Sequence, residues 1–269
     1  MPELPDVELY KRYFNRCCRG KVISAAAVKD RSLLGEVSAQ ALARHLKGAR
    51  IAGSRRYGKY LLADLGKSGW LALHFGMNGA LKAFAARAEE PPYDRLLLDF
   101  RDGSHLAYLN PRRIGRIDWI GDPTDLIARE KLGPDALARG FTLKSFAATL
   151  AARHADLKSV LMDQSVVAGI GNIYSDEILF QARLHPKTKS NALDAAAVKR
   201  LYGAIRTVLK TAIAHGAGAE QGVEHLPRSF LIPHRHRNGH CPRCGLALVT
   251  IKQGARTGYY CSHCQQMLH

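Results

Sequence analysis

Four cysteines near the carboxyl end are the feature that most restricts how this chain can fold. Cys241 and Cys244 form one C-x₂-C pair, and Cys261 and Cys264 form a second pair after sixteen intervening residues. Two pairs at this spacing are typical of a tetrahedral Zn²⁺ site with thiolate ligands. Because four thiolates leave no open coordination position, we predict one structural, non-catalytic zinc ion.

The segment that carries these cysteines has few aliphatic runs and cannot fold by apolar burial alone. The stretch 246–260 between the two pairs is typical of a β-hairpin. Its glycine-containing tip bears Lys252 and Arg256, which suits it to contacting phosphate. We therefore predict a zinc-ribbon finger with four cysteine ligands over residues 221–269.

The charge of the chain indicates a polyanionic partner. Its 269 residues include 40 Lys and Arg against 23 Asp and Glu, a formal net charge of +17. Such an excess most often accompanies binding to nucleic acid. No apolar run is long enough for a transmembrane helix, and the amino terminus lacks a secretory signal pattern. We therefore expect a cytoplasmic protein of bacterial type with reduced cysteines.

Apolar periodicity divides the chain into regions. Three- and four-residue spacing after Pro5 predicts a first helix that stops near Gly20. Short β-rich runs broken by turns continue to about residue 120, which predicts an antiparallel sandwich or barrel-like domain. Beyond 121–123 the pattern is helical. We predict an α+β multidomain protein with domains at 1–121, 122–220 and 221–269.

The second residue is a candidate nucleophile. Removal of Met1 would leave Pro2 with a free secondary amine, and α-amino groups titrate close enough to neutrality for much of that amine to be unprotonated. Such an amine can attack an aldehyde-like carbon and form an iminium. The alternative is that Pro2 only starts an extended segment, and its position alone favours that structural role.

A glycine-rich segment lies in the middle of the helical region, with Gly169 and Gly171 just before Asn172. Glycine permits close backbone approach, and a following helix presents free N–H groups and a positive dipole end to an anion. A plain helix–helix turn is the alternative interpretation of so short a motif.

Three motifs in this order resemble the formamidopyrimidine-DNA glycosylase/endonuclease VIII family from end to end. They are Pro2-Glu3 at the start, Gly-Ile-Gly-Asn-Ile-Tyr in the middle and the terminal cysteine finger. Leu4-Pro5 and Asn172 are more similar to the formamidopyrimidine branch, which repairs oxidised purines. The resemblance implies an N-terminal antiparallel β-sandwich with flanking helices, a helix–two-turn–helix DNA-binding domain and the finger. It also implies damaged double-stranded DNA as the partner; we expect a monomer located with the bacterial nucleoid.

The same resemblance implies catalytic roles for four residues. Pro2 would be the nucleophile and Glu3 the adjacent acid/base group. Lys59, in a segment similar to the family's strand, would reach the active site, and Arg256 would contact the phosphate beside the lesion. These two cations would position or protonate the phosphate leaving groups. Without the family, Lys59 would be an ordinary solvated charge at a strand start.

Two loops would act on the base stack. The segment 74–79 resembles the family loop whose methionine, here Met77, fills the gap left by an extruded base. The segment 110–115 resembles the loop whose arginine, here Arg112, pairs with the orphaned base and whose wedge is here Ile114. Filling the gap offsets part of the free energy lost in unstacking a base. Without the family, Met77 would be interpreted as a core residue.

Three further residues would contact DNA. Asn172 and Lys158 are similar to phosphate-binding residues of the helix–two-turn–helix element, and Tyr93 stands where the family usually has a DNA-contacting histidine. Ile114 replaces the usual phenylalanine, which leaves a wedge without a flat π-face. Other departures are Asp6 for glutamate, Asn110 for aspartate and the poorly matching stretch 216–237.

The resemblance therefore implies a bifunctional DNA glycosylase/AP lyase of base excision repair. It would flip out and remove oxidised bases, with 8-oxoguanine and formamidopyrimidines favoured, through a Pro2 Schiff base followed by β,δ-elimination. One alternative keeps this chemistry but acts on oxidised pyrimidines or bulkier lesions. The other is a non-catalytic zinc-ribbon protein that binds nucleic acid.

Overall fold

The computed structural model describes residues 1–218 and 222–267. Backbone contacts divide the chain into two units. The first consists of Met1–Pro2 and Asp6–Glu130, and the second of Glu3–Pro5 and Lys131–His269. The predicted domain limits at 121 and 220 stay predictions, and the limit at 220 lies outside the described residues.

Helix α1 (Leu4–Cys18) confirms the predicted first helix. Val7, Phe14 and Cys18 recur at helical spacing and are buried in the core of the first unit. The helix ends just before Gly20, whose φ of 84° takes the backbone out of the helical path.

Eight strands of the first unit form two four-stranded antiparallel sheets. The strands are β1 (Ile23–Val28), β2 (Gly53–Tyr57), β3 (Tyr60–Asp64), β4 (Trp70–His74), β5 (Ala80–Phe84), β6 (Asp94–Phe100), β7 (His105–Leu109) and β8 (Arg116–Ile120). One sheet has the strand order β1, β6, β7, β5, and the other has the order β2, β3, β4, β8. Each neighbouring pair is antiparallel, and short turns join the three pairs that are successive in the chain, β2–β3, β3–β4 and β6–β7.

The two sheets share one buried core. Leu61 of β3, Leu73 of β4 and Leu98 of β6 lie in the same apolar cluster. Because side chains alternate between the two faces of a strand, their neighbours point outward. Helix α2 (Ala39–Leu46) packs on this core, and α3 (Pro123–Arg129) covers apolar residues on the other face of the second sheet. This arrangement confirms the predicted β-sandwich with flanking helices.

The second unit is helical up to the finger. Its helices are α4 (Leu143–Ala151), α5 (Leu157–Met162), α6 (Asn172–Ala182) and α7 (Ala195–Ala214). Helices α6 and α7 pack against each other, and α7 buries a stripe of apolar residues at helical spacing. The described helices therefore confirm the predicted helical region.

Strands β9 (Val249–Gln253) and β10 (Arg256–Tyr260) form the antiparallel hairpin predicted for the finger. The finger packs on α6 because Phe180 shares a buried cluster with Leu231, Cys241 and Cys261. Among the described residues, none of the helices combines the length and apolar character that a membrane crossing requires.

Candidate active site and nucleic-acid interface

The carboxylate of Glu3 lies on the amino terminus of α6 in the second unit. Its Oε2 accepts the N–H of Gly171 at 2.7 Å and of Tyr174 at 3.2 Å, and its Oε1 accepts the N–H of Ile173 at 2.8 Å. Helix amino termini leave N–H groups without intrahelical partners and favour negative charge. Glu3 therefore caps α6, and the cap orients the carboxylate of the residue that follows Pro2.

Two glycines make room for this cap. A Cβ on Gly171 would lie 2.5 Å from Cδ of Glu3, closer than a side chain tolerates. Gly169 has a φ of 114°, and its carbonyl oxygen accepts the N–H of Leu4 at 2.9 Å. The glycine motif was predicted to bring backbone close to an anion at a helix amino terminus. In the structure that anion is the chain's own Glu3.

Lys158 of α5 is fully buried, and its ammonium contacts three oxygen atoms of the same unit. Nζ donates to Oδ1 of Asp176 at 2.6 Å, to Oγ of Ser175 at 2.8 Å and to the carbonyl oxygen of Asn172 at 3.0 Å. Burial lowers the pKa of Lys158, and the nearby carboxylate of Asp176 opposes that shift. These acceptors match the three N–H bonds of an ammonium. The ammonium of Lys158 is therefore held by internal acceptors, and its contact with a DNA phosphate stays a prediction.

Asp176 binds the finger as well as Lys158. Its Oδ2 accepts the backbone N–H of Tyr259 in β10 at 2.9 Å. The same oxygen accepts from Nη2 of Arg235 at 2.7 Å and from Nε at 3.0 Å. One buried carboxylate thus joins α5, α6, the part of the finger before its cysteines and the finger hairpin.

Asn172 opens α6 and contacts the same hairpin. Its Nδ2 donates to the carbonyl oxygen of Thr257 at 2.9 Å, which uses one of the two N–H bonds of the amide. The neighbouring residue, Arg256, starts β10 and is exposed. Within the second unit, the structure therefore brings Glu3, Asn172 and the strand of Arg256 to the same end of α6.

The four predicted metal ligands come together in the finger. They are Cys241, Cys244, Cys261 and Cys264, whose sulfur atoms all lie within 4.8 Å of one another. Backbone N–H groups of Arg243 and Cys264 donate to Sγ of Cys241 and Cys261, each at 3.4 Å. Four thiolates at these distances fit tetrahedral Zn²⁺, so the chain holds one structural zinc ion. Among the described residues, the cluster includes no histidine.

Pro2 and Lys59 belong to the first unit, and both are buried. Lys59 lies in the turn between β2 and β3, where it is 7% exposed, unlike an ordinary solvated charge.

Burial, followed by the positive charges of Lys59 and Arg116, lowers the pKa of His74 to about 4. His74 is therefore neutral near pH 7, and its Nδ1 accepts the N–H of Gly76 at 3.2 Å.

The two loops predicted to enter the base stack lie against each other in the first unit. Gly76 has a φ of 56°, and a Cβ at this position would collide with the carbonyl group of Ile114. Ile114 is 50% exposed, Arg112 is exposed and Met77 is partly exposed. The backbones of the two loops therefore lie against each other, and side chains from both loops are exposed to solvent.

Tyr93 adjoins the second of these loops. It is 58% exposed, and its carbonyl oxygen accepts the N–H of Asn110 at 3.0 Å. Its φ of 64° is uncommon for a residue other than glycine. The four predicted DNA contacts of the first unit therefore lie on adjacent segments. They are Met77, Tyr93, Arg112 and Ile114.

Sequence reasoning missed the residues that support these sites. Asp176 belongs to no recognised motif, although an acid in a largely apolar helix signals burial and the need for a partner. That partner, Lys158, lies 18 residues earlier on the preceding helix, and no spacing rule connects the two. Asn110 was noticed only as a departure from aspartate, because its contacts depend on the packing of two loops.

Three protein-family models match the chain in order. The formamidopyrimidine-DNA glycosylase N-terminal domain matches residues 1–117, and the H2TH domain of the same enzyme matches residues 132–223. The zinc finger found in FPG and IleRS matches residues 240–266. The matched regions contain all the site residues described above, apart from Arg235.

Curated relatives match over nearly the whole length. The chain is 33% identical to a formamidopyrimidine-DNA glycosylase of Streptococcus pyogenes, with 99% of each chain covered. It is 35% identical to the protein of that name from Geobacter metallireducens, with 98% of this chain and 100% of the relative covered.

Solved structures are similar in fold as well. A Lactococcus lactis formamidopyrimidine-DNA glycosylase bound to DNA containing an AP site gives a TM-score of 0.88 at 27% identity, covering 98% of this chain and 99% of that one. A complex of the Lactococcus lactis protein with DNA containing FAPY-dG gives 0.88 at 28% identity, covering 98% and 100%. With three family models in order and relatives above 30% identity along its full length, the chain belongs to the formamidopyrimidine-DNA glycosylase family.

Proposed function

We propose that this DNA glycosylase of base excision repair removes oxidised bases through a Schiff base at Pro2 and then cuts the strand by β,δ-elimination. Oxidised purines such as 8-oxoguanine and formamidopyrimidines are the favoured substrates. The observation that carries the proposal is the cap of Glu3 on α6, where three backbone N–H groups hold its carboxylate. An oriented acid/base group thus directly follows the nucleophile in the chain.

The secondary amine of Pro2 attacks C1′ of the damaged nucleotide. The bond from C1′ to the base breaks, the base leaves with the electron pair and takes up a proton from water, and the carboxylate of Glu3 accepts the proton released by the amine. Glu3 delivers a proton to the sugar ring oxygen, so that the ring opens and an iminium joins Pro2 to C1′. This chemistry requires removal of Met1, because its acyl linkage would make Pro2 a non-nucleophilic amide.

Strand cleavage follows from the iminium. Loss of a C2′ proton expels the 3′ phosphate, and a second elimination expels the 5′ phosphate. We assign Lys59 and Arg256 to these leaving groups, which they position or protonate. Arg256 suits this role because it is exposed while the neighbouring Thr257 is held by Asn172.

DNA is the partner, and the net charge of +17 favours a salt-sensitive complex. The second N–H bond of the Asn172 amide is assigned to a backbone phosphate. A phosphate contact is likewise assigned to Lys158, whose ammonium also bonds to Asn172 and Asp176. A monomer in the bacterial cytoplasm stays a prediction, which size-exclusion chromatography and cell fractionation would test.

We assign residues of the first unit to the gap that the flipped nucleotide leaves in the base stack. Met77 and Ile114 enter the gap, Arg112 pairs with the orphaned base, and Tyr93 contacts the adjoining DNA. Their exposure on adjacent segments supports this assignment.

The substrate proposal draws on related complexes. One family structure contains DNA with FAPY-dG, and another, of 28% identity and TM-score 0.89, contains carbocyclic 8-oxo-G. The exposed aliphatic side chain of Ile114 keeps one alternative open, namely the same chemistry on oxidised pyrimidines or bulkier lesions. Family membership along the whole chain argues against the non-catalytic alternative.

Borohydride trapping tests the mechanism. Protein lacking Met1 is incubated with abasic-site DNA and borohydride, and we expect a covalent adduct. Pro2→Gly protein shown by mass spectrometry to retain Met1 should give no adduct. Failure of the wild type to form an adduct, or an undiminished adduct in the variant, would contradict the proposal. A panel of 8-oxoguanine, formamidopyrimidine and thymine-glycol duplexes then ranks the substrates.

A further inference from the structure

A buried amide lies where the two stack-entering loops meet. We propose that Asn110 is a positioning residue that joins these loops, so that Met77 and Ile114 enter the DNA as one body. The inference rests on the function proposed above for the loops, and it uses contacts of the first unit alone.

The side chain of Asn110 bonds to both loops at once. It is fully buried, and its Nδ2 donates to the carbonyl oxygen of Phe75 at 2.9 Å. Its Oδ1 accepts the N–H of Ile114 at 3.0 Å. Since Phe75 lies two residues before Met77, one side chain connects the segment before Met77 with the backbone of Ile114.

A second route runs through Tyr108. Nδ2 of Asn110 also donates to the Tyr108 hydroxyl at 3.1 Å, and that hydroxyl donates to the carbonyl oxygen of His74 at 2.8 Å. A Cβ on Gly115 would collide with the Tyr108 hydroxyl and the Asn110 amide. Glycine at Gly115, like Gly76, thus keeps the loops close enough for these bonds.

The base of the second loop is also fixed to its surroundings. Nε of Arg95 donates to the carbonyl oxygen of Asn110 at 3.1 Å. Arg113 adopts a φ of 53°, and its Nε lies 3.2 Å from Oδ2 of Asp30. Motion of the first loop relative to the second is therefore resisted at Asn110, and the second loop is itself anchored.

In this chain the amide serves both loops because it donates and accepts at the same time. An ionised aspartate could accept the N–H of Ile114, but it has no hydrogen to donate to the carbonyl of Phe75. A buried carbonyl left without a donor costs free energy comparable to a lost hydrogen bond. An apolar side chain of similar size would break the link to both loops.

A double-mutant cycle tests the coupling. Stopped-flow fluorescence of 2-aminopurine beside an abasic site reports stack entry by wild type, Asn110→Leu, Met77→Ala and the double variant. We expect Asn110→Leu to slow this phase by roughly tenfold or more, since it removes the partners of the buried Phe75 carbonyl and of the part-buried Ile114 N–H. The double variant should be little slower than the slower single variant, because both changes impair the same step, the joint entry of the two loops into the base stack. Asn191→Leu, at an exposed asparagine outside the loops, is the matched control.

Independent action would overturn the inference: the slowing in the double variant would then equal the product of the two single effects. An unchanged rate in Asn110→Leu would overturn it as well. If circular dichroism shows that this variant is unfolded, Asn110→Asp takes its place in the same cycle and is measured at a pH where the carboxyl is ionised.

Borohydride trapping on single-stranded abasic DNA keeps the two proposals apart, because it requires no stack entry. Lack of a wild-type adduct on both single-stranded and duplex abasic DNA defeats the Pro2 chemistry, whereas additive cycle energies defeat only the role of Asn110.

Discussion

Nζ of Lys158 lies 2.6 Å from Oδ1 of Asp176, and both side chains are shielded from solvent. Arg235 contacts the other carboxylate oxygen at 2.7 Å. Burying such charges is costly unless each finds a close partner. Because Asp176 also accepts the N–H of Tyr259, this ionic cluster attaches the finger hairpin to α6.

Replacement of Asp176 by asparagine should strongly destabilise the second unit. Lys158 would keep its buried charge without a counter-ion, which costs about 3–5 kcal/mol. Urea unfolding measures the loss. Asp156→Asn, which breaks the more exposed pair with Lys189, is the control and should cost about 1 kcal/mol or less. Equal losses in the two variants would show that the buried cluster is not the support inferred here.

Glu3→Gln should separate chemistry from DNA binding. The amide cannot act as the acid/base group, so single-turnover excision should fall by about 100-fold or more. Loss of part of the helix cap should lower the free energy of unfolding by about 1 kcal/mol. DNA affinity, measured by fluorescence anisotropy, should change little. An excision rate within twofold of wild type would exclude the proposed role of Glu3.

Removal of zinc should disable the finger without unfolding the β-sandwich. Ile251 is the one buried apolar side chain in the two strands of the hairpin that carries Arg256, so the order of the hairpin depends on the metal. We expect one zinc ion per chain by metal analysis, and Cys244→Ser should lose both the zinc and most of the DNA affinity. Cys17→Ser, at a half-buried cysteine of the first unit, should retain both. Full DNA affinity in zinc-free protein would contradict this expectation.

His74 should contribute to acid sensitivity. Its folded pKa of about 4 lies below the value of about 6.5 expected in the unfolded chain, so the unfolded state binds more protons between these values. The contribution is fully present above about pH 6.5 and is lost as the pH falls through 4, by up to about 3 kcal/mol. Urea titrations from pH 7 to 4 should show a shallower decline in His74→Gln than in wild type. The exposed His154→Gln control should keep the wild-type slope.

Local patterns were enough to predict several elements. The cysteine spacing specifies the zinc ligands because metal coordination restricts both residue type and separation. Helical periodicity after Pro5 predicts α1, and β-rich runs with turn signals predict the sandwich, because burial of one face leaves a repeating trace in the sequence. Pro2, Glu3 and the other site residues were singled out by family motifs, and their individual roles stay predictions.

Only the tertiary structure decided which of these residues act on one another. Glu3 was recognised, but its capping of α6 depends on a contact between positions 3 and 171–174. The inward-directed ammonium of Lys158 and the bridge formed by Asn110 likewise depend on the packing of separate segments. Periodicity shows which face of an element is buried, but it does not show which distant element covers that face. The sequence by itself thus determined the zinc ligands and the classes of element, whereas long-range packing determined the partners of the functional side chains.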